Sequence, residues 1–191
     1  MIKLKEIAVF RAGYPFRGRI EEIPGAGVRV IQMKDVDPSK GISWSGLSET
    51  ELTGRKQPDL LNPEDILFLA RGFRNFAVQL DKITGSVVAS PHFFHITLKP
   101  ESNILPAFLA WQINQVPAQQ HLKTSALGTS IPSIRRAELA ELPIAIPPIE
   151  KQRQVVALEQ AWQREQEVIA NLKNNMKQTM TGLAQQLLRV H

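Results

Sequence analysis

Residues 149–191 constrain the fold of this chain most, because the stretch contains no proline and a single glycine, Gly182. Proline breaks an α-helix and glycine weakens one, so the stretch is free to form one long helix. From Glu150 to Arg189 that helix would be ~60 Å long at ~1.5 Å per residue. A rod of this length cannot cover its apolar face with its own small domain, so the sequence predicts a partner helix.

An apolar row follows the predicted helix. With Val155 as heptad position a, every a position is apolar, whereas only two of the five d positions are. This pattern indicates an amphipathic helix with coiled-coil character. The predicted dimer interface consists of Val155, Leu158, Trp162, Ile169, Leu172, Met176 and Leu183.

Two other arrangements of the same residues are open at this point. The helix could fold back on the core of its own domain. It could also break into a helix–turn–helix near Asn174 and Asn175 or at Gly182.

The first 148 residues alternate between strand and helix patterns. Apolar runs and alternation predict strands at residues 27–33, 65–70, 76–81, 86–89 and 93–98. Apolar spacing predicts helices at 106–115, where Pro106 suits the first turn, and at 135–142. We therefore predict an α+β fold, with a mixed α/β domain at 1–148 and a long helix at 149–191 that pairs with a partner helix.

Composition narrows the class of protein. A hydrophobic content of 43% suffices for a buried core, and the net charge of +5 is compatible with a polyanionic partner. The absence of cysteine excludes disulfides, thiolate nucleophiles and cysteine-based metal sites, and it fits a reducing cytoplasm. Neither a signal-peptide core nor a membrane-spanning run is present in the sequence, so we expect a cytoplasmic protein without a membrane partner.

Catalytic and cofactor motifs are missing from the sequence. It contains no dinucleotide-binding loop and no phosphate-binding Walker loop. Residues 62–65 faintly resemble the Asn-Pro-Pro-aromatic motif of amino-methyltransferases but lack the second proline and the aromatic residue, so a turn before a buried strand is the better interpretation. His92 and His95 have an odd spacing, which places them on opposite strand faces and disfavours a shared metal site. His121 and His191 have no evident catalytic partner. We expect no cofactor and no enzyme activity.

Several short motifs occur in a characteristic order along the chain. They are Leu4-Lys5-Glu6-Ile7 with Gly13, Val28-Arg29-Val30-Ile31 with Asp35-Val36, Pro63 to Phe68 with Gly72, Gly128-Thr129-Ser130 with Ile134, and Leu139 to Gln152. This series resembles the specificity (S) subunits of type I restriction-modification systems and covers essentially the whole chain. Glu64 stands where that family usually has glycine, and Lys151 where it usually has glutamate.

The resemblance implies a function and partners. Full-length S subunits carry two target recognition domains and two helical regions, and each domain reads one half of a bipartite DNA site. This chain resembles one half, so a second copy is the expected partner, with antiparallel helices and an interrupted palindrome as target. Methyltransferase (M) subunits would dock on the helices and supply S-adenosylmethionine, and a restriction (R) subunit could join them.

Residues predicted to contact double-stranded DNA are loop donors in the first domain. The best cluster is residues 71–75, because Arg71, Arg74 and Asn75 suit base edges and Gly72 permits close backbone approach. Backbone or secondary contacts are predicted for Lys34, Arg55, Lys56, Lys123, Thr129 and Ser130. Trp44 could stack on DNA, but packing against the protein is the favoured interpretation.

Two other classes of protein compete with a DNA reader. A helical assembly module would use the long helix to bind other proteins and would not bind DNA. A degenerate methyltransferase or nuclease ranks third, because the cofactor loop is missing.

Overall fold

The computed structural model describes residues 1–52, 57–125 and 133–188. Their strands, in chain order, are β1 (Ile2–Lys3), β2 (Ala8–Ala12), β3 (Val28–Ile31), β4 (Val36–Asp37), β5 (Gly41–Ile42), β6 (Ser48–Thr50), β7 (Ile66–Leu69), β8 (Ala77–Gln79), β9 (Ser86–Ala89), β10 (Phe93–Leu98) and β11 (Pro143–Ile144). Their α-helices are α1 (Leu4–Ile7), α2 (Pro106–Asn114), α3 (Val116–Ser125), α4 (Arg136–Ala140) and α5 (Ile149–Leu187). The predicted α+β class with a long C-terminal helix is confirmed.

A four-stranded antiparallel sheet, in the order β2-β10-β7-β8, divides the first domain into layers. On one face, Ile66 and Phe68 of β7 lie in the core cluster that includes α1 and α2 residues. On the other face, Leu67 and Leu69 pack with residues of the β6-β3-β9 sheet. Because β7 is buried on both faces, its sequence is continuously apolar rather than alternating.

The strands predicted from sequence are all present, some of them shorter than expected. Strands β9 and β10 have the predicted bounds, whereas residues 27–33 contribute only Val28–Ile31. The helix predicted at 106–115 spans Pro106–Asn114, and the helix predicted at 135–142 spans Arg136–Ala140. Strand β2 and helix α3 were not predicted, and β2 forms a full antiparallel ladder with β10.

Gly13 shows why the first motif of the chain ends in glycine. A Cβ atom at this position would lie 2.0 Å from the backbone oxygen of Ser90. The Tyr14 amide, one residue later, donates to the Ala89 carbonyl over 2.8 Å. The close approach of two backbones therefore joins the β2 end of the first sheet to the β9 end of the second.

Glu64 occupies a backbone conformation that favours glycine, with φ at +71°. The left-handed region costs an ordinary residue ~1–2 kcal/mol, more than the ~0.5–1 kcal/mol of extra chain entropy that glycine loses on folding. Glu64→Gly should therefore raise the free energy of unfolding by about 0.5–1 kcal/mol in urea denaturation. Glu22→Gly, in an exposed loop without a positive φ, serves as the control and should lower that free energy. A loss of stability in Glu64→Gly would contradict this account of the turn.

A buried polar network ties the start of β7 to β10. Asp65 Oδ2 lies 2.7 Å from His95 Nε2 and accepts the Asn62 amide at 2.8 Å, while Thr97 Oγ1 donates to Oδ1 at 3.0 Å. Burial raises the pKa of Asp65, but the hydrogen bonds from His95, Asn62 and Thr97 outweigh it and hold the pKa below its ordinary value. The network favours the ionised carboxylate in the folded state.

The lowered pKa of Asp65 predicts a pH-dependent stability. Ionised Asp65 adds to the free energy of unfolding at every pH above the unfolded-state pKa of 3.8. This added stability is lost as pH falls through the lower pKa of Asp65 in the folded state. Asp65→Asn should cost about 1.5–3 kcal/mol at pH 7, the range for hydrogen bonds to charged groups. Urea denaturation at pH 7 and pH 3 should show the difference from wild type narrowing at the lower pH. A difference that stays constant would show that ionisation of Asp65 does not contribute.

Candidate functional site

The loop at residues 71–75 joins β7 to β8 and projects two arginines into solvent. The side chains of Arg71 and Arg74 are exposed, and Phe73 between them is 80% exposed. Gly72 has φ at +114°, in the left-handed half of backbone space where a side chain would be strained. The glycine therefore permits the bend that places the three exposed residues at the loop surface.

The side chain of Asn75 stabilises this loop through two hydrogen bonds to backbone carbonyls. Its amide nitrogen donates to the Leu69 carbonyl at 3.0 Å and to the Ala70 carbonyl at 2.9 Å. Both amide protons are therefore used inside the protein in the single chain, whereas contact of Asn75 with a base edge stays a prediction. These two bonds tie the end of the loop that carries Arg71 and Arg74 to the end of β7.

Two other segments meet the 71–75 loop. The Met33 Cε atom lies 3.8 Å from the position of a Cβ atom on Gly72, and the exposed Lys34 follows on the same 3-10 helix (Met33–Asp35). The Ala70 amide donates to the His92 carbonyl at 2.9 Å. The structure thus brings predicted contacts from residues 34 and 71–74 into one neighbourhood.

His92, which the sequence analysis did not select, lies beside this loop. Burial lowers its pKa, and the positive charge of Arg71 lowers it further. His95 lies instead in the buried Asp65 network, so the two histidines have separate surroundings. Among the described residues, no group of three or more histidine, aspartate, glutamate or cysteine side chains is arranged to hold a metal ion.

The remaining predicted DNA contacts are not brought to this loop by any described contact. Lys123 is exposed on α3. Arg55, Lys56, Thr129 and Ser130 lie outside the described residues. Trp44 is half-buried and packs against the core cluster between the two sheets, in agreement with the favoured packing role.

Sequence reasoning missed Met33 in this neighbourhood and assigned no role to Phe73, although Phe73 lies inside the predicted 71–75 cluster. Met33 is 41% exposed and Phe73 is 80% exposed, and both belong to segments that carry the predicted basic contacts. The position of Phe73 between two arginines could have indicated from the sequence alone that it belongs to the same exposed surface. No such signal exists for the proximity of Met33, because it depends on a contact between segments about forty residues apart in sequence.

Gln152 anchors the long helix α5 to the domain. Its side chain has 0% exposure; Oε1 accepts the Leu105 amide at 2.8 Å, and Nε2 donates to the Asn103 and Pro147 carbonyls at 2.9 and 2.8 Å. Leu105 precedes α2, so one buried side chain joins the first turn of α5 to the start of α2. These three hydrogen bonds hold the base of α5 against the domain.

Beyond its first turns, α5 leaves the domain. It runs unbroken from Ile149 to Leu187, so a break near 174–175 or at Gly182 is wrong. Its residues beyond Val156 are mostly exposed, so a fold-back on the core of its own domain is wrong as well. Val155 packs partly against the domain core. The other six predicted interface residues are between 47% and 73% exposed in the single chain: Leu158, Trp162, Ile169, Leu172, Met176 and Leu183.

The exposed apolar residues of α5 follow an eleven-residue spacing as well as the heptad row that begins at Val155. Leu158, Ile169 and Met180 are eleven residues apart, as are Leu172 and Leu183. The eleven-residue spacing corresponds to ~3.67 residues per turn, close to the ~3.6 of an α-helix, so these residues stay on one face of α5. Met180 and Leu187, which lie one residue beyond heptad position d, are also exposed and widen this apolar face. We call these residues, from Leu158 to Leu187, the apolar stripe.

Within the described residues, no helix has the length and hydropathy needed to cross a bilayer.

Solved structures share this fold. An S subunit of a type I restriction-modification system from M. genitalium is 14% identical, with a TM-score of 0.57, over 92% of this chain and 42% of that chain. The HsdS subunit from Thermoanaerobacter tengcongensis is 18% identical, with a TM-score of 0.62, over 97% of this chain and 47% of that chain. A chain from a structure on complex assembly and conformational transition of the type I R-M system has a TM-score of 0.69 at 15% identity, over 98% of this chain and 44% of that chain. This chain therefore spans less than half the length of each of them.

Sequence comparison supplies the family. No curated protein matches the sequence significantly. The family model described as type I restriction modification DNA specificity domain matches residues 2–178. That match confirms the resemblance found in the motifs. The chain therefore belongs to the type I restriction modification DNA specificity domain family.

Proposed function

We propose that this chain is the DNA-reading component of a type I restriction-modification complex, with residues 1–148 as reader and 149–191 as spacer and docking helix. The observation that carries the proposal is the 71–75 loop, a preorganised projection with two exposed arginines in a chain of this family. Arginine donates two hydrogen bonds to the edge of guanine and also neutralises phosphate. The neighbouring Lys34 supplies a further positive charge for the DNA backbone.

The loop arginines yield a direct test of DNA reading. For a duplex selected from a randomised pool, Arg71→Ala and Arg74→Ala should each weaken binding by ~1–3 kcal/mol where the arginine contacts a base. An arginine that contacts only phosphate should instead lower the salt slope by ~1 and weaken all sequences alike. Fluorescence anisotropy at several salt concentrations separates the two cases. Arg153→Ala, exposed on α5 away from the loop, is the matched control.

Unchanged affinity and unchanged discrimination in both loop variants would remove this loop from the reader. Lys34→Ala then tests whether the adjoining helix contacts the backbone, since it should reduce the salt slope without changing sequence preference.

The exposed stripe supports a homodimer as the working form. Two copies related by a two-fold axis would place a reader at each end of paired antiparallel helices and read two equivalent half-sites. The target would then be an interrupted palindrome. M subunits would dock on the helices, supply S-adenosylmethionine and methylate a base that they flip out of the duplex. An R subunit could add DNA cleavage. The complex would act on DNA in the cytoplasm.

A helical assembly module without DNA binding is the competing function, and the same exposed stripe favours it. The two functions differ in one measurement. A reader must bind duplex DNA with an affinity that falls steeply as salt rises, because bound counterions are released. An assembly module would show no such binding while retaining its partner helix.

A further inference from the structure

Four segments of the chain meet at one end of the two larger sheets. The turn between β9 and β10, residues 90–92, lies at their centre, because backbone hydrogen bonds join this turn and the end of β9 to the other three segments. These bonds run from the Tyr14 amide to the Ala89 carbonyl, from the Ser90 amide to the Ile31 carbonyl and from the Ala70 amide to the His92 carbonyl, at 2.8, 2.9 and 2.9 Å. The segments that follow β2, β3 and β7, residues 13–19, 32–35 and 70–75, therefore all start beside this turn.

These four segments, which we call the basic end, all lie in the described part of the chain. Their single acidic side chain, Asp35, is 6% exposed and accepts the Gln32 amide at 2.9 Å, so it is turned into the protein. A surface with this balance of charge fits the phosphate backbone of DNA. The lysine and arginine side chains of the basic end, all exposed, are Arg17, Arg19, Lys34, Arg71 and Arg74.

Phe73 is the most exposed apolar side chain of the basic end, at 80%. Every other phenylalanine, tyrosine or tryptophan in the described part of residues 1–148 is buried or half-buried. Full burial of a phenylalanine side chain stabilises a protein or a complex by ~1.5–3 kcal/mol. The fold of the single chain does not use this stabilisation, so it is available to a molecule that binds the basic end.

The loop that carries Phe73 is fixed at both of its ends. At its start, the Ile134 amide donates to the Ala70 carbonyl at 2.9 Å, and Arg71 forms an isolated β-bridge with Ser133. At its end, the Asn75 side chain is bonded to the end of β7. A side chain on a loop that is already ordered loses less conformational entropy on binding, so Phe73 is preorganised for contact.

The groove that arginine reads contains one apolar group. Arginine recognises guanine through its major-groove edge, and the apolar group exposed in that groove is the 5-methyl group of thymine. Consecutive Cα atoms are ~3.8 Å apart, close to the ~3.4 Å between successive bases of one strand. If Arg74 contacts a base edge, Phe73 therefore lies about one base step away from it.

From this placement we propose that Phe73 recognises the 5-methyl group of a thymine in the major groove, next to the base pair that Arg74 contacts. The inference rests on the DNA reading proposed above for the 71–75 loop. It adds a base that an apolar side chain selects, beside the bases that the arginines select.

Deoxyuridine tests the contact, because it differs from thymidine only by the missing methyl group. In a duplex selected from a randomised pool, each thymine is replaced in turn, and affinity is measured by fluorescence anisotropy. For the natural chain, replacement of the contacted thymine should weaken binding about fourfold per methyl group, the equivalent of burying one such group. For Phe73→Ala the same replacement should have no effect, whereas the preference for guanine beside it should remain.

Two control variants accompany the measurement. Val116→Ala shortens another exposed apolar side chain, 67% exposed on α3 and outside the basic end, and should keep the full deoxyuridine effect. Phe73→Leu keeps an apolar side chain in the loop and should keep part of the effect. Urea denaturation of Phe73→Ala should match the natural chain, because the ring is exposed in the folded state.

The outcomes separate this inference from the function on which it rests. Failure of the natural chain to bind any duplex would overturn the DNA reader and the methyl contact together. Sequence-selective binding to a site without thymine, or with no deoxyuridine effect that depends on Phe73, would overturn the methyl contact alone. An equal loss for every duplex in Phe73→Ala, with unstacking of 2-aminopurine in the complex of the natural chain, would show that the ring inserts between base pairs and would also overturn it.

Discussion

Gln152→Ala should lower the free energy of unfolding by about 3–4 kcal/mol, a large fraction of the stability of an ordinary domain. The substitution leaves the Leu105 amide and the Asn103 and Pro147 carbonyls without their side-chain partner, and it opens a cavity at a position with no solvent exposure. Chemical denaturation at a fixed protein concentration measures the loss.

A matched variant separates this effect from a general effect on the helix. Gln160→Ala changes the same residue type at an exposed position of α5 and should alter the unfolding free energy by no more than about 0.5 kcal/mol. If Gln152→Ala cost less than about 1 kcal/mol, the buried amide would not hold α5 to the domain, because each unsatisfied buried group alone costs about that much.

Trp162→Glu should separate the dimer with little effect on the fold of the single chain. Trp162 is 51% exposed in a single chain, so a glutamate at this position is tolerated there. Pairing of two copies through the apolar stripe would bury the glutamate charge between the helices. Loss of an aromatic anchor costs an interface ~2 kcal/mol or more, which corresponds to at least a thirtyfold weaker dimer. Light scattering at tens of micromolar should give twice 21.4 kDa for the natural chain and a mass near 21.4 kDa for the variant.

Gln160→Glu provides the control for charge alone, because residue 160 lies on the face of α5 opposite the stripe and should leave the mass unchanged. A dimeric mass for Trp162→Glu would show that the stripe around Trp162 is not the contact between copies.

The motifs visible in the sequence contain residues that hold the secondary-structure elements of the domain together. Gly13 permits a backbone contact, Asp65 pairs with His95, and Gln152 joins two helices. Each role depends on a residue type that local geometry demands, which makes such positions recognisable in one sequence. The long helix was equally predictable, because an absence of proline over a long stretch is a local property.

The reading surface was predictable only in part. The arginines at 71 and 74 stand out in the sequence, but the internal role of Asn75 depends on how the loop closes over Leu69 and Ala70. The contact between Met33 and the loop depends on the packing of separate segments. Strand β2 escaped prediction because its pairing partner β10 lies some eighty residues later and stabilises it through a non-local ladder.

Mapping methylated bases tests the central claim most directly. The chain would be expressed in cells together with an M subunit of its system, and methylated adenines would be located across the genome. We predict methylation at an interrupted palindrome that disappears when the chain is omitted and changes when Arg71 and Arg74 are replaced. Identical methylation without the chain, or no methylation with it, would contradict the account.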